Sequence, residues 1–297
     1  MSSCHTQTPF LNNIARFFQH NNATFKLLTD SVPVSISGAF RVYIAALLLN
    51  VCPSLLICLA SGLIIYSVYT LDRALDCEED LINRQELSGS CKEVGLVFSL
   101  ITFLIGSYIF MKAGILVLAF LPLVTGFLYS KGLKIGKFKL RLKGGLGVKN
   151  IVVGITWGAC TAGVIWHFSN ILPLAVIFLL YGTKTAINSV IDDFKDTKGD
   201  ALTGIKTLPV CLGAKKTHTV LLVLHTIIHL ILWIALSCGI IAFEPIIIGC
   251  SFICGLVCIV RYTNEENYKV RKQEMMFFKD GESAFIVVLK AIEGVLF

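Results

Sequence analysis

Apolar stretches of about 18 to 22 residues recur along the chain, separated by short polar connections. That length is what crossing a bilayer core requires. About nine spans follow from the pattern, at roughly 33–50, 54–71, 94–109, 113–127, 151–167, 172–191, 219–240 and 245–260, with a shorter ninth at 283–297. The expected fold class is therefore all-α, a polytopic membrane bundle. The ten-residue alternation of a membrane β-barrel is absent. Residues 1–32 read as a polar arm with aromatic punctuation, suited to an interfacial helix, and 33–297 as the membrane domain.

The polar positions that interrupt this pattern carry the chemistry. Past the sixth span comes NSVIDDFKDTKGDALTGIKTLP, residues 188–209. If the helix continues, Asp192, Asp193, Asp196 and Asp200 fall within an arc of about 100°. Like charges so placed repel, and a divalent cation reverses that balance. A solvated acidic loop that ends a helix is the alternative. Lys184 and Asn188 extend the stripe into the bilayer, where a polar face normally lines a cavity. Past the second span, Asp72, Asp76 and Asp80 repeat the i, i+4, i+8 spacing. Two such clusters at corresponding places suggest a duplicated architecture with one shared site.

Composition narrows the compartment. The chain is 55% hydrophobic with a mean hydropathy of +0.77. Its net charge of +7 is no nucleic-acid signal, because Lys and Arg crowd the N-terminal arm and alternate connections. That sorting places the crowded side in the cytoplasm. With nine spans, the connections after the second, fourth, sixth and eighth share that side, and so do both Asp clusters. The expected location is a multi-pass protein, in the cell membrane, with the N-terminus and Asp clusters cytoplasmic. Arg41 falls inside the first span and either faces the protein interior or snorkels to the headgroups. Gly154 and Gly158 form a GxxxG, read as close helix packing. His218, His225 and His229 share a face of the seventh span and are read as interhelical hydrogen bonders. The basic loop at 129–150 suits anionic lipid, and its membrane-proximal part, Tyr129 to Lys134, also suits pyrophosphate.

On these residues the chain resembles the UbiA superfamily of intramembrane prenyltransferases. DFKDTKGDALTGIKTLPVCLG, residues 193–213, is similar to that family's second Asp-rich motif with its trailing Gly-Ile-x-Thr-Leu-Pro. Asp193, Asp196 and Asp200 take its acidic positions, and Asp192 stands where Asn is common. YSKGLK at 129–134 resembles the family's Tyr-Ser-x-x-Leu-Lys, and Lys149-Asn150 its following Lys-Asn. The first motif departs from the pattern. Val68 and Tyr69 replace the usual Asn-Asp, Asp72 and Asp76 match, and Asp80 adds a third carboxylate, which suggests a divergent branch.

The resemblance implies a two-part bundle around a central chamber, with each Asp motif holding a Mg²⁺ that bridges the pyrophosphate of an isoprenyl diphosphate. The candidate metal ligands are Asp72, Asp76, Asp80, Asp192, Asp193, Asp196 and Asp200. Asp72, Asp76, Asp193 and Asp196 are the catalytic candidates, and Arg73, Tyr129, Lys134, Lys184 and Asn188 are the candidates for substrate binding. The expected reaction moves a polyprenyl group to an aromatic or other lipid-precursor acceptor and releases pyrophosphate. The expected partners are isoprenyl diphosphate, a lipid-soluble acceptor and membrane lipids, with no nucleic acid. A terpenoid cyclase on the same scaffold and a cation transporter are the rivals.

Overall fold

The computed structural model describes residues 21–75, 85–130, 133–135, 138–140, 147–263 and 272–296. Nine long helices organise them. They are α1 (Val32–Leu48), α2 (Leu55–Ala74), α3 (Lys92–Lys112), α4 (Val117–Ser130), α5 (Val148–Val164), α6 (Ile171–Leu202), α7 (Leu208–Ser237), α8 (Pro245–Tyr262) and α9 (Lys272–Leu296). Among the described residues six helices are long and apolar enough to cross a membrane. The one containing α1 is counted from Asn21, and the others are α2, α3, α6, α7 and α8. Val117–Leu128 and Val148–Val164 are shorter apolar helices. This is a multi-pass membrane protein with an all-α architecture. The basic connection, read above as a loop, also holds a short antiparallel ribbon, Leu133–Ile135 against Phe138–Leu140, with Lys134 opposite Lys139.

Local chemistry sets the joints. α1 ends because Asn50 takes a left-handed φ of 55°, a conformation Asn tolerates, and Val51 N–H then donates back to the Ala46 carbonyl at 2.9 Å. Ser54 opens α2 by accepting from Ile57 N–H at 3.4 Å. α6 runs unbroken for 32 residues through the second Asp cluster. It stops at Gly204, whose φ of 73° turns the chain so that Ile205 N–H reaches the Asp200 carbonyl at 2.8 Å. The trailing Gly-Ile-x-Thr-Leu-Pro is thus a reversal that ends one helix and starts α7 with Pro in its first turn.

The helices close into a ring. α2 packs against α1, α3 and α4, α5 against α4 and α6, α7 against α6 and α8, and α9 lies between α8 and α1. The α5–α6 contact is intimate because it lacks side chains. A Cβ at Gly158 would sit 2.8 Å from the Phe178 carbonyl and 2.9 Å from Gly182 Cα, so the GxxxG acts as expected. Arg41 faces the interior, where it approaches Thr185 Oγ1 at 3.5 Å. The His residues bond between helices. His225 Nε2 pairs with the Phe252 carbonyl at 2.9 Å and His229 Nε2 with Ser251 Oγ at 3.2 Å. His218 Nδ1 pairs with Thr263 Oγ1 at 2.6 Å. Residues 21–29, assigned to the arm, are helical and integrated into the bundle. Leu27 is fully buried and the Leu28 carbonyl accepts from Tyr66 OH at 3.0 Å.

Candidate active site

A cavity of about 250 Å³ opens where α2, α4 and α6 end and α1, α5 and α9 begin. The ends of even-numbered helices therefore meet the starts of odd-numbered ones, as the counting of spans requires. α6 forms one wall with the residues predicted from its stripe. Thr185, Asn188, Ser189, Asp192 and Asp196 step along it turn by turn. α2 contributes Val68, Tyr69, Asp72 and Arg73, and α5 contributes Lys149, Val152, Val153, Thr156 and Trp157.

Two neighbouring carboxylates on the α6 wall do different jobs. Asp193 is completely buried. Lys149 Nζ donates to its Oδ1, and Asn150 Nδ2 donates to its Oδ2 at 2.9 Å. Neighbouring Asp192 turns the other way, into the cavity, and pairs with Lys279 at 2.6 Å and Lys195 at 3.7 Å. A step of 100° per residue separates the two. One carboxylate ties α6 to α5, and the next meets Lys279 of α9 at the cavity.

On the α2 wall, Arg73 is fixed to the start of α1. Its Nη1 donates to Ser31 Oγ at 2.7 Å and its Nη2 to the Asp30 carbonyl at 3.2 Å. Ser31 Oγ also accepts from Thr70 at 2.9 Å. Tyr69 stacks on Trp157 across the cavity, with ring centroids 5.9 Å apart. The cavity thus has a charged part and an aromatic and aliphatic part.

Membership can now be read from the whole chain. The model of the UbiA prenyltransferase family matches residues 33–280. The chain belongs to that family. As a UbiA-family protein it is similar in fold to a UbiA homolog from Aeropyrum pernix K1, with a TM-score of 0.63 at 12% identity over 88% of this chain and 98% of that one. It is also similar to a UbiA homolog from Archaeoglobus fulgidus bound to DMAPP and Mg²⁺, with a TM-score of 0.59 at 14% identity, covering 89% and 96% of the two chains. In sequence it is 29% identical over 173 residues to a digeranylgeranylglyceryl phosphate synthase of Methanosarcina mazei. That alignment spans 53% of this chain and 57% of the relative.

Within this UbiA fold the predicted residues divide. Asp72, Arg73, Asn188, Asp192 and Asp196 line one cavity. Asp193 and Asp200 do not. Asp193 is bonded to Lys149 and Asn150 behind the cavity wall, and Asp200 is 1% exposed beneath the α6–α7 reversal. Lys184 is also absent from the lining, because it points to α8 and α9, donating to Glu282 and, at 2.6 Å, to Ser251 Oγ. Asp76 and Asp80 lie outside the described residues, as do the side chains of Tyr129 and Lys134. Sequence reasoning did not place Lys149, Lys279, Asp280 or Glu86 at the cavity. Lys149 had a signal, the Lys-Asn that matches the family. The others depend on α9 and on the segment before α3 folding back over the mouth.

The donor set fits a hard divalent cation. Among the described residues no three acidic, His or Cys side chains gather at one point. Mg²⁺ usually takes only one or two carboxylates when phosphate and water fill its other positions. Asp72 on α2, and Asp192 and Asp196 on α6, offer such oxygens from two walls.

Proposed function

We propose that this protein transfers a prenyl group from an isoprenyl diphosphate to a lipid-soluble acceptor with Mg²⁺ as cofactor. The observation that carries the reading is the placement of Asp72, Asp192 and Asp196 on two walls of one cavity, beside Arg73 and Lys149. These carboxylates would hold the cation, and the Arg73 guanidinium would face the diphosphate. Bound Mg²⁺ supplies positive charge to a leaving group that becomes more anionic as the allylic C–O bond lengthens. Arg73 is pre-set by Ser31 and Asp30, so it adds charge stabilisation with little reorganisation. Tyr69 and Trp157 offer π faces to the developing allylic cation and, with Val68, Val152 and Val153, keep water away from it.

The named relatives support this class of chemistry. One is a synthase of a digeranylgeranylglyceryl phosphate, and one was solved with DMAPP and Mg²⁺. The sorted basic residues support a cytoplasmic mouth. The test incubates purified protein with Mg²⁺, labelled isoprenyl diphosphates of several lengths, and a panel of phenolic and prenylglyceryl phosphate acceptors. Pyrophosphate release that depends on an acceptor is the expected outcome. Release with a cyclic hydrocarbon and no acceptor would instead identify a cyclase, and no release under any combination would overturn both. Orientation is checked by labelling the exposed Cys211 in an otherwise cysteine-free protein. Labelling from the cytoplasmic face is expected.

A further inference from the structure

Among the described residues, most buried carboxylates have identified partners. Asp193 has Lys149 and Asn150, Glu282 has Lys184, and Asp192 has Lys279. Asp280 breaks the rule. It is 8% exposed and lines the large cavity, yet it makes no hydrogen bond or ion pair among the described residues. Its neighbour Lys279 is turned to Asp192 instead. An ionisable group held out of water without a donor is costly unless a ligand provides one.

The geometry points to Asp280 as the residue that receives the nucleophilic hydroxyl of the prenyl acceptor, which makes the acceptor an alcohol or phenol. The assignment rests on the prenyl-transfer reading above. The acceptor O–H donates to the Asp280 carboxylate. As the acceptor oxygen forms its bond to the allylic carbon, the C–O bond to diphosphate breaks and pyrophosphate leaves with the electron pair. The hydroxyl proton passes to Asp280, so the sum is alcohol plus prenyl diphosphate giving ether, pyrophosphate and a proton. Asp280 reaches the cavity from α9, whereas Asp72, Asp192 and Asp196 reach it from α2 and α6. The acceptor and diphosphate would thus be held by different helices.

Asp280→Asn separates the roles, because the amide oxygen still accepts a hydrogen bond but cannot take the proton. Its single-turnover transfer rate should fall at least about 100-fold, with the acceptor KM nearly unchanged. Asp280→Ala, which loses the hydrogen bond too, should raise the acceptor KM about tenfold. Mg²⁺-dependent binding of a non-hydrolysable prenyl diphosphate analogue should match wild type in both variants, which also reports that they fold. Transfer by Asp280→Asn at the wild-type rate would overturn the assignment. Loss of analogue binding would do the same, placing Asp280 with the diphosphate. A wild-type protein that releases no pyrophosphate from any isoprenyl diphosphate defeats the underlying reading, and that result precedes any variant.

Discussion

The ends of α2 and α6 carry the two Asp clusters and are built differently. α6 continues as helix beyond its cluster and is braced from two sides, by Lys149 on α5 and Lys279 on α9. α2 ends at Ala74, just past Asp72, and Arg73 ties it to the start of α1 through Ser31 Oγ and the Asp30 carbonyl. The α6 wall thus presents carboxylates paired to lysines of its neighbours, while the α2 wall presents a guanidinium oriented by the start of α1. The motif that resembles the family more closely is the one braced from both sides. The divergent one has Tyr69 stacked on Trp157 where an acidic residue is usual. A site of this kind can keep one rigid anionic wall and vary the other.

The difference is tested most strongly at Lys149. Lys149→Met strands the buried Asp193 charge, and breaking a buried pair in this way costs about 3–5 kcal/mol. Thermal melting in detergent should drop steeply, and Lys149→Met with Asp193→Leu should recover most of the loss. Full stability in the single variant would mean the pair does not brace the wall. Next come the cavity carboxylates. Asp196→Asn and Asp72→Asn should each lower turnover about 100-fold, roughly 2.7 kcal/mol of transition-state stabilisation, while melting stays near wild type. The double variant should lose little more than the worse single, because residues acting as one unit are not additive. Additive, mild losses would separate the two walls functionally.

A smaller effect is expected on the α2 side. Ser31→Ala removes the acceptor shared by Arg73 and Thr70 and should cost about 1–3 kcal/mol of stability. It should also raise the apparent KM for prenyl diphosphate, since Arg73 is no longer fixed. Unchanged KM with lowered stability would leave Arg73 as a purely structural brace.

Much of this was legible in the sequence because membrane helices announce themselves. A run of apolar residues fixes a span, and an i, i+4 stripe fixes a face, so Asn188, Asp192 and Asp196 were found on one wall with Asp72 opposite. Adjacent acidic residues were harder. Asp192 and Asp193 look alike in sequence, and only the position of Lys149 on the neighbouring helix decides which one is buried. Lys184 fitted the stripe by spacing, but the stripe is wider than the cavity and its edge turns to Glu282 on α9. Lys279 and Asp280 were missed for the same reason. They sit in a charged segment before the last apolar stretch, and their role arises when α9 closes the ring beside α1.

The finest test concerns Lys279, where the braced wall meets the cavity. Its ammonium lies 2.6 Å from Asp192, whose side chain is 33% exposed. A lysine there neutralises the carboxylate in the resting protein and competes with any cation that needs the same oxygen. Removing it should therefore strengthen Mg²⁺ binding, the opposite of what losing a ligand would do. With the lysine 10% and the carboxylate 33% exposed, the pair opens onto the cavity and is worth about 1 kcal/mol, so Lys279→Met should lower the Mg²⁺ concentration for half-maximal analogue binding by about fivefold. Asp192→Asn should raise it. If Lys279→Met also raises it, the lysine contacts the diphosphate instead of guarding Asp192, and α9 belongs to the anion side of the site. Titrating Mg²⁺ against a fixed analogue concentration in the wild type and both variants distinguishes the two by sign alone.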